Sequence, residues 1–482
     1  MSAHSQEIVH QVRQEFEALL AFVLQASPAT TPDADSMERS LFYRLFDLGR
    51  LLLRLYFVQQ DQLLAPDAVT GKERDALSFH SHKERSYLSI FGQVRFSRRY
   101  YYRKSEGCFP LDAALNLPED GASDMLREWR EKLCAYLPYP QSKKILAELL
   151  RHSVSTRELQ ADIIEDAVLV GDYYAQAPKP APVPEATILV VQADGKGVPL
   201  KETTPAAQKA RKGKGEKSSR KKEALVTSVY TLAPSVRTPN QVIESLFEGK
   251  QANVERASPQ NKQVFASLEG KETALLFTAK QVWKQQGAHI RRQVALTDGS
   301  AALQERMLAQ FPDFTLVLDC IHAIEYLWKA ANALLGETSP ERTAWVKSRA
   351  LLMLSGQTQD LIGDLQEITS TVEATVCKTL LSVAGYFERN QNYMRYDDYL
   401  AQGYPIATGV IEGACRHLVK DRCELSGMRW TQAGAEAMLQ IRAVAENGDW
   451  EAFHTFRREQ RLATLYTKMP SQEGNNDLRL AA

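Results

Sequence analysis

The sequence predicts a mixed α/β protein: a sheet domain with an all-helical insertion, preceded by an α-rich domain that carries a β-hairpin. Three observations predict it. The run Ala177-Pro178-Lys179-Pro180-Ala181-Pro182-Val183-Pro184 alternates proline, favours extended backbone and cannot continue a helix, so a new domain starts near Ala186. Beyond it, the runs 188–194, 197–200, 225–232, 294–297 and 315–318 read as strands, with a long helical run over 263–285 between the third and fourth. From His322 to about Tyr396 the pattern is helical almost throughout, punctuated at 336–340 and near Gly356.

A chain of 482 residues is long for one core, and two or three domains are expected. The composition, 44% hydrophobic and 24% charged, is that of a folded globular protein. Lys and Arg total 59 and Asp and Glu total 59, so only local clustering of charge can indicate a polyanionic partner. Six scattered cysteines without a Cys-x-x-Cys pair fit a reducing compartment. No window has the apolar length of a membrane span, and the location expected is cytoplasmic, with no membrane partner.

In chain order, Ile8, Val12, Phe16, Leu19, Leu20 and Val23 recur at helical spacing until Pro28, and Leu41, Leu45, Leu48, Leu52 and Leu55 form a second stripe. The two helices are expected to pack as a hairpin in region 1–70. Region 71–176 opens with a basic, aromatic β-ribbon, 87–91 and 94–102, around a turn at Gly92-Gln93. Such a ribbon, with Arg98 and Arg99, can follow a DNA groove or be an ordinary half-buried hairpin. A helical run over 142–150 and a capping box at Ser155-Thr156-Arg157-Glu158 then outline a helix-turn-helix, a geometry common in any α-rich domain. After the linker 177–186 the sheet domain spans 187–322 and 405–460, the helical insertion 323–404, and a polar tail 461–482. The basic stretch with Lys209, Arg211, Lys212, Lys214, Arg220, Lys221 and Lys222 reads as a solvated loop able to contact phosphates without fixed structure.

Three acids stand out. Asp194 closes the first apolar run, Asp298 closes the fourth, and Glu412 opens a helix after Gly409-Val410-Ile411. Each alone reads as a turn or first-turn residue. Together, two strand-end aspartates and a helix glutamate can converge on a pair of divalent cations, which take oxygen ligands and clamp both oxygens of a phosphoryl displacement. Asp319 also ends a strand and competes with Asp298 by spacing alone, and His322 can orient a ligand, approach a phosphate or satisfy a core polar group.

The order of three strands, helix, strand, helix, strand resembles the RNase H-like sheet. The blocks Val191-Gln192-Ala193-Asp194-Gly195-Lys196-Gly197-Val198-Pro199, Leu296-Thr297-Asp298-Gly299-Ser300 and Asp319-Cys320-Ile321-His322 resemble those of ISKra-type insertion-sequence transposases. So does Gly409-Val410-Ile411-Glu412-Gly413-Ala414-Cys415-Arg416-His417-Leu418-Val419-Lys420-Asp421-Arg422, running on to Gly427-Met428-Arg429-Trp430-Thr431. The likeness covers about 88–442 and is similar in motif order to Mutator-like transposases, which favours Asp298 over Asp319. It departs at Cys108, which stands alone after the ribbon, with His80 and His82 upstream, where relatives carry paired cysteines. No structural zinc is expected.

The resemblance implies a DDE transposase with Asp194, Asp298 and Glu412 holding two Mg²⁺ or Mn²⁺ ions, supported by Asp319 and His322. Its partners would be double-stranded DNA, both terminal inverted repeats and target, bound by a homodimer or higher oligomer at the bacterial nucleoid. Arg416 and Lys420, at i+4 and i+8 from Glu412, would lie along its helix face and hold the phosphate backbone, Lys196 would also meet DNA, and Trp430 with Arg429 would wedge or stack on a flipped base, or Trp430 would serve as a buried anchor. An RNase H-like nuclease or resolvase without strand transfer would use the same acids, and a domesticated DNA-binding protein would keep them silent.

Overall fold

The computed structural model describes residues 3–24, 32–64, 68–70, 76–104, 106–150, 153–201, 220–249 and 257–466. The fold is mixed α/β and divides into two compact units, Met1–Asp166 with Trp450–Ala482, and Ala167–Asp449. Among the described residues no helix is long and apolar enough to cross a membrane.

In the first unit the helices Ala3–Leu24 and Ala34–Leu63 pair as their apolar stripes require, and Gln62 Nε2 donates to Ser5 Oγ at 2.8 Å. They accompany an antiparallel sheet of β1 (Ala68–Thr70), β2 (Ala76–Ser89), β3 (Gly92–Arg103) and β4 (Glu106–Cys108), in that order. The hairpin turn is Ile90-Phe91 rather than Gly92-Gln93, because Ser89 pairs with Gly92. Gly92 has φ +100° and supplies the left-handed residue that follows the turn, and Ser89 Oγ accepts from the Phe91 amide at 3.1 Å. Ile8, Phe57, Val58, Val94, Phe96, Leu111 and Leu117 form one core cluster between these elements. The capping box at Ser155 forms: its amide donates to Glu158 Oε2 at 2.7 Å and its Oγ accepts from the Glu158 amide at 3.1 Å.

Two helices follow Thr431. Gly448, at φ +78°, separates Gln432–Glu446 from Trp450–Arg461. The segment 405–460 is therefore divided between the units, and Trp450–Arg461 belongs to the first, where Arg457 and Arg461 reach Asp124 at 2.6 and 2.7 Å. Likewise residues 167–176 lie in the second unit, ahead of the proline linker.

The second unit holds a five-stranded sheet of β5 (Ile188–Leu200), β6 (Arg220–Leu232), β7 (Gln260–Ser267), β8 (Arg292–Thr297) and β9 (Thr315–Leu318), ordered β7-β6-β5-β8-β9. β7, β6 and β5 are antiparallel, whereas β8 and β9 run parallel to β5. Two sequence expectations are corrected here. The runs 188–194 and 197–200 are one strand, since the ladder with β6 passes through Asp194, Gly195 and Lys196 without a break. The run 263–285 is not one helix, because Gln260–Ser267 is the third strand and the helix is Lys271–Gln285. Gly270, at φ +115°, separates them, and the Ser267 hydroxyl and Leu268 amide bond Glu436 at 2.9 and 2.6 Å.

Strand alternation sends Ile188, Val190 and Gln192 to one face of the sheet and Leu189, Val191 and Ala193 to the other. Ile188 and Val190 join Val294 and Leu296 in a core continuous with the inserted helices, through Leu327, Leu361, Leu380 and Phe387. The insertion is thus built onto the face of the sheet on which Asp194 and Asp298 continue the rows.

Asp112 offers a stability test within the first unit. Its carboxylate meets Arg85 at 2.6 Å and Arg98 at 2.8 Å, and all three side chains are at most 11% exposed. Asp112→Ala leaves two guanidinium groups without their counterion, so urea unfolding should show a loss of roughly 3–5 kcal/mol. An unchanged midpoint would mean that the pair contributes nothing net.

Candidate functional site

β5 and β8 pair in parallel from Ile188↔Arg292 to Gln192↔Leu296. Two residues further along each strand come Asp194 and Asp298, the next members of the same facial rows. Here the strands part: β8 ends at Thr297, while β5 continues along β6 to Leu200. Asp194 therefore lies within its strand, not at its end, at the carboxyl edge of the parallel pair, where open sheets form crevices.

Asp194 is half-buried. Its Oδ1 accepts from the Gly195 amide at 2.7 Å and its Oδ2 faces the Cys415 thiol at 3.4 Å. Burial raises its pKa and the charge of Asp298 adds to this, while the Cys415 and Gly195 hydrogen bonds and His322 oppose them. Asp298 Oδ1 accepts from the Ser300 amide at 3.0 Å, and its carbonyl accepts from the Tyr386 hydroxyl at 3.2 Å. Gly299 completes this turn at φ +87°, and a Cβ there would stand 2.6 Å from the Tyr386 oxygen, so only glycine fits.

Glu412 is exposed in the first turn of Gly409–Ala414. Its pKa is raised first by burial, then by the charges of Asp319, Glu325 and Asp194, and lowered by His322. These mutual effects bring Asp194, Asp298, Asp319, Glu325, His322 and Glu412 into one electrostatic neighbourhood. None of Asp194, Asp298 and Glu412 forms an ion pair among the described residues. Neighbouring carboxylates without a cationic partner, two of them, Asp194 and Glu412, with raised pKa values, are the donor set a divalent ion fits: hard oxygen ligands whose repulsion a cation relieves.

Asp319 occupies a different position. It is 1% exposed, its Oδ1 caps the helix Cys320–Leu335 by accepting from the Ile321 amide at 2.8 Å, and its Oδ2 accepts from the Thr408 hydroxyl. With the Cys320 amide on the Ile406 carbonyl at 2.9 Å, this joins the start of the insertion to its end. His322 Nδ1 lies 3.7 Å from Glu325.

Several residues expected to meet DNA are held elsewhere. Arg98 is buried on Asp112 and stacks over Phe109 at 3.6 Å. Arg99 is held by Asp61: its amide donates to Oδ1 at 3.0 Å and its guanidinium to the carbonyl at 2.9 Å. Trp430 is 6% exposed, donates from its indole to the Cys423 carbonyl at 3.2 Å and lies under Arg422, so it is a buried anchor and not a base wedge. Arg220, Lys221 and Lys222 open β6 instead of lying in a loop, and Lys221 pairs with Glu424 at 2.6 Å. Lys209, Arg211, Lys212 and Lys214 lie outside the described residues. The segment Cys415–Lys420 is π-helical, which removes the simple α spacing that put Arg416 and Lys420 on the face of Glu412. Both are exposed, with Arg416 3.7 Å from Asp421; Arg429 is exposed and Lys196 half-buried.

The sequence pattern did not mark Tyr386, Cys415 or Glu325, since each reaches the acids only through the fold. Nor did it mark a buried group in the first unit, Glu131, Asp166 and His454, whose ligand atoms lie within 4.8 Å of one another. Arg127 reaches Asp166 at 2.7 Å and Glu131 at 3.3 Å, and Arg457 reaches Asp166 at 3.3 Å. Burial and then the Arg457 charge push His454 down to about 3, so it is neutral, and the two guanidinium groups supply the countercharge that an ion would bring. No family model matches the chain, and no curated protein matches it.

The anchor assignment of Trp430 is testable. Trp430→Ala removes a buried indole, so unfolding stability should fall by roughly 3–5 kcal/mol while the DNA affinity of the folded protein is unchanged. A selective loss of DNA affinity at wild-type stability would restore the stacking role.

Proposed function

We propose that this chain is an RNase H-like DDE transposase that cleaves DNA at the ends of an insertion sequence and joins the freed 3′ ends to target DNA. The observation that carries the reading is the register of β5 and β8, whose last pair, Gln192↔Leu296, lies two residues before Asp194 and Asp298, with the charge of Asp298 acting on Asp194 and that of Asp194 on Glu412. The strand order β7-β6-β5-β8-β9, three antiparallel and two parallel, supports an RNase H-like sheet. The sequence blocks around the three acids, which resemble ISKra-type transposases, add to it.

Asp194, Asp298 and Glu412 would hold two Mg²⁺ or Mn²⁺ ions, which when bound activate a water and stabilise a departing 3′ oxygen. The chain's own contribution is placement. The Gly195 amide and the Cys415 thiol hold the two oxygens of Asp194, and the Ser300 amide holds Oδ1 of Asp298; each contact takes one lone pair and orients the carboxylate for ligation through those that remain. Lys196, Arg416, Lys420 and Arg429 would hold a phosphate backbone, and Lys209, Arg211, Lys212 and Lys214 would add a further, sequence-independent attachment. Asp319 is buried and keeps its oxygens on Ile321 and Thr408, which favours a supporting part for it and Asp298 as the second aspartate.

The test is cleavage of DNA carrying the element ends with purified protein and Mg²⁺ or Mn²⁺. Asp298→Asn should abolish cutting and leave DNA binding largely intact, because the amide keeps the shape but loses a charged ligand. Cutting that persists in this variant removes Asp298 from the site. Correct cutting that never yields joined product favours a nuclease over a transposase.

Neutralising Lys209, Arg211, Lys212 and Lys214 should weaken binding evenly across sequences and lower the salt slope by up to about one unit for each phosphate they would neutralise. An unchanged slope would remove these residues from the DNA-binding surface.

A further inference from the structure

Glu412 returns to the sheet only after the long helical insertion, so something must set its position against Asp194. Gln192 is the residue placed to do this. It sits two residues before Asp194 on the same face of β5 and is fully buried. Its Oε1 accepts from the Ile411 amide at 3.0 Å, and its Nε2 donates to the Tyr230 hydroxyl at 3.0 Å and to the Ala407 carbonyl at 3.4 Å. One side-chain amide thus grips the backbone on both sides of the Thr408 cap and ends next to Glu412. The far end of the same segment is tied to the same strand: the Trp430 amide donates to the Pro199 carbonyl at 3.0 Å, and the Lys201 amide to the Trp430 carbonyl at 2.8 Å.

Resting on the transposase reading, we infer that Gln192 is a positioning residue that sets Glu412 against Asp194 and thereby tunes the affinity of the site for divalent ions. A glutamine suits this role because the task needs one acceptor, for Ile411 N–H, and donors for two oxygens. A carboxylate lacks the donors, and an ammonium group lacks the acceptor. Gln192 touches neither DNA nor the reacting atoms, so its effect passes through Glu412. Outer hydrogen bonds that orient metal ligands typically change metal affinity about 10- to 100-fold.

The experiment measures Mn²⁺ binding to the full-length chain by electron paramagnetic resonance, alongside thermal unfolding and DNA binding. Gln192→Met keeps the length and loses the hydrogen bonds; it should weaken Mn²⁺ binding by about 10-fold or more in folded protein, with DNA affinity unchanged. Tyr230→Phe removes one partner of the amide but leaves the grip on Ala407 and Ile411, and should bind Mn²⁺ as the parent does. Gln192→Asn, which retracts the amide by one methylene, is the milder variant should the Met variant not fold, and is expected to weaken Mn²⁺ binding in the same direction. A folded Gln192 variant with parental Mn²⁺ affinity, while Asp194→Asn and Glu412→Gln lose it, overturns the inference and spares the transposase reading. Parental Mn²⁺ affinity in Asp194→Asn and Glu412→Gln themselves overturns the reading on which it rests.

Discussion

The second unit depends on β5 having different partners along its two halves. From Ile188 to Gln192 it is central, paired with β6 on one side and β8 on the other; from Asp194 onward it keeps β6 alone. A strand that loses one neighbour halfway leaves a gap in the sheet at the point of loss, and Asp194 is the first acidic side chain on the face that opens there. The β5–β6 ladder must stay intact through this stretch, because the isolated end of β5 then carries Trp430 through Pro199 and Lys201. Parallel pairing that stopped earlier would bury less of β8, and pairing that ran further would close the crevice.

The helical insertion follows from the same constraint. Its side chains share one core with β5, β8 and β9, so it is part of the sheet's packing and not an independent body. Its hydroxyl groups also satisfy carbonyls at the strand ends: Tyr386 reaches that of Asp298, and Tyr396 that of Leu318 at 3.0 Å. Carbonyls at the end of a parallel strand have no further ladder partner, and leaving them buried and unbonded is costly. Tyr326 stacks on Tyr386 at 3.7 Å and fixes the ring that makes one of these bonds. The insertion thereby holds the Asp298 turn from above while Asp319 and Thr408 close its two ends.

Local pattern was enough for what is local. The amphipathic helices, the capping box at Ser155, the break near Gly336 and the strand cores β5, β6, β8 and β9 were all legible in the sequence. What failed depended on partners far away in the chain. Asp194-Gly195 has the composition of a turn, yet thirteen residue pairs with β6 carry it through as strand. The stretch 263–267 merged into the helix that follows, because its strand character comes from β6 and from Glu436. These two errors offset each other in the number of strands, five expected and five found, but not in the order, because the helix Pro239–Phe247 stands between β6 and β7. Arg98, Arg99 and Trp430 looked like ligand-facing residues, but Asp112, Asp61 and Cys423 had no signature that paired them. Asp194, Asp298 and Glu412 stood out by local pattern, although Asp194 lies within its strand and not at its end, whereas the residues that hold two of them, Cys415 and Tyr386, did not.

The distribution of arginine bears on any polyanion-binding role. In the first unit Arg85, Arg98, Arg127, Arg457 and Arg461 are bound to Asp112, Asp166 and Asp124 with little exposure, so their charge is neutralised inside the fold. A guanidinium group held by a buried carboxylate cannot move to a phosphate without leaving that carboxylate uncompensated, at a cost of several kcal/mol. The pair of Arg416 with Asp421 is different: its side chains are 70% and 42% exposed at 3.7 Å. Exposed pairs of this kind contribute between nothing and about 1 kcal/mol, so a phosphate can take the arginine at little cost. Zero net charge does not by itself argue against a phosphate-binding surface, because buried arginines and aspartates cancel one another while exposed cations such as Arg416 stay exchangeable.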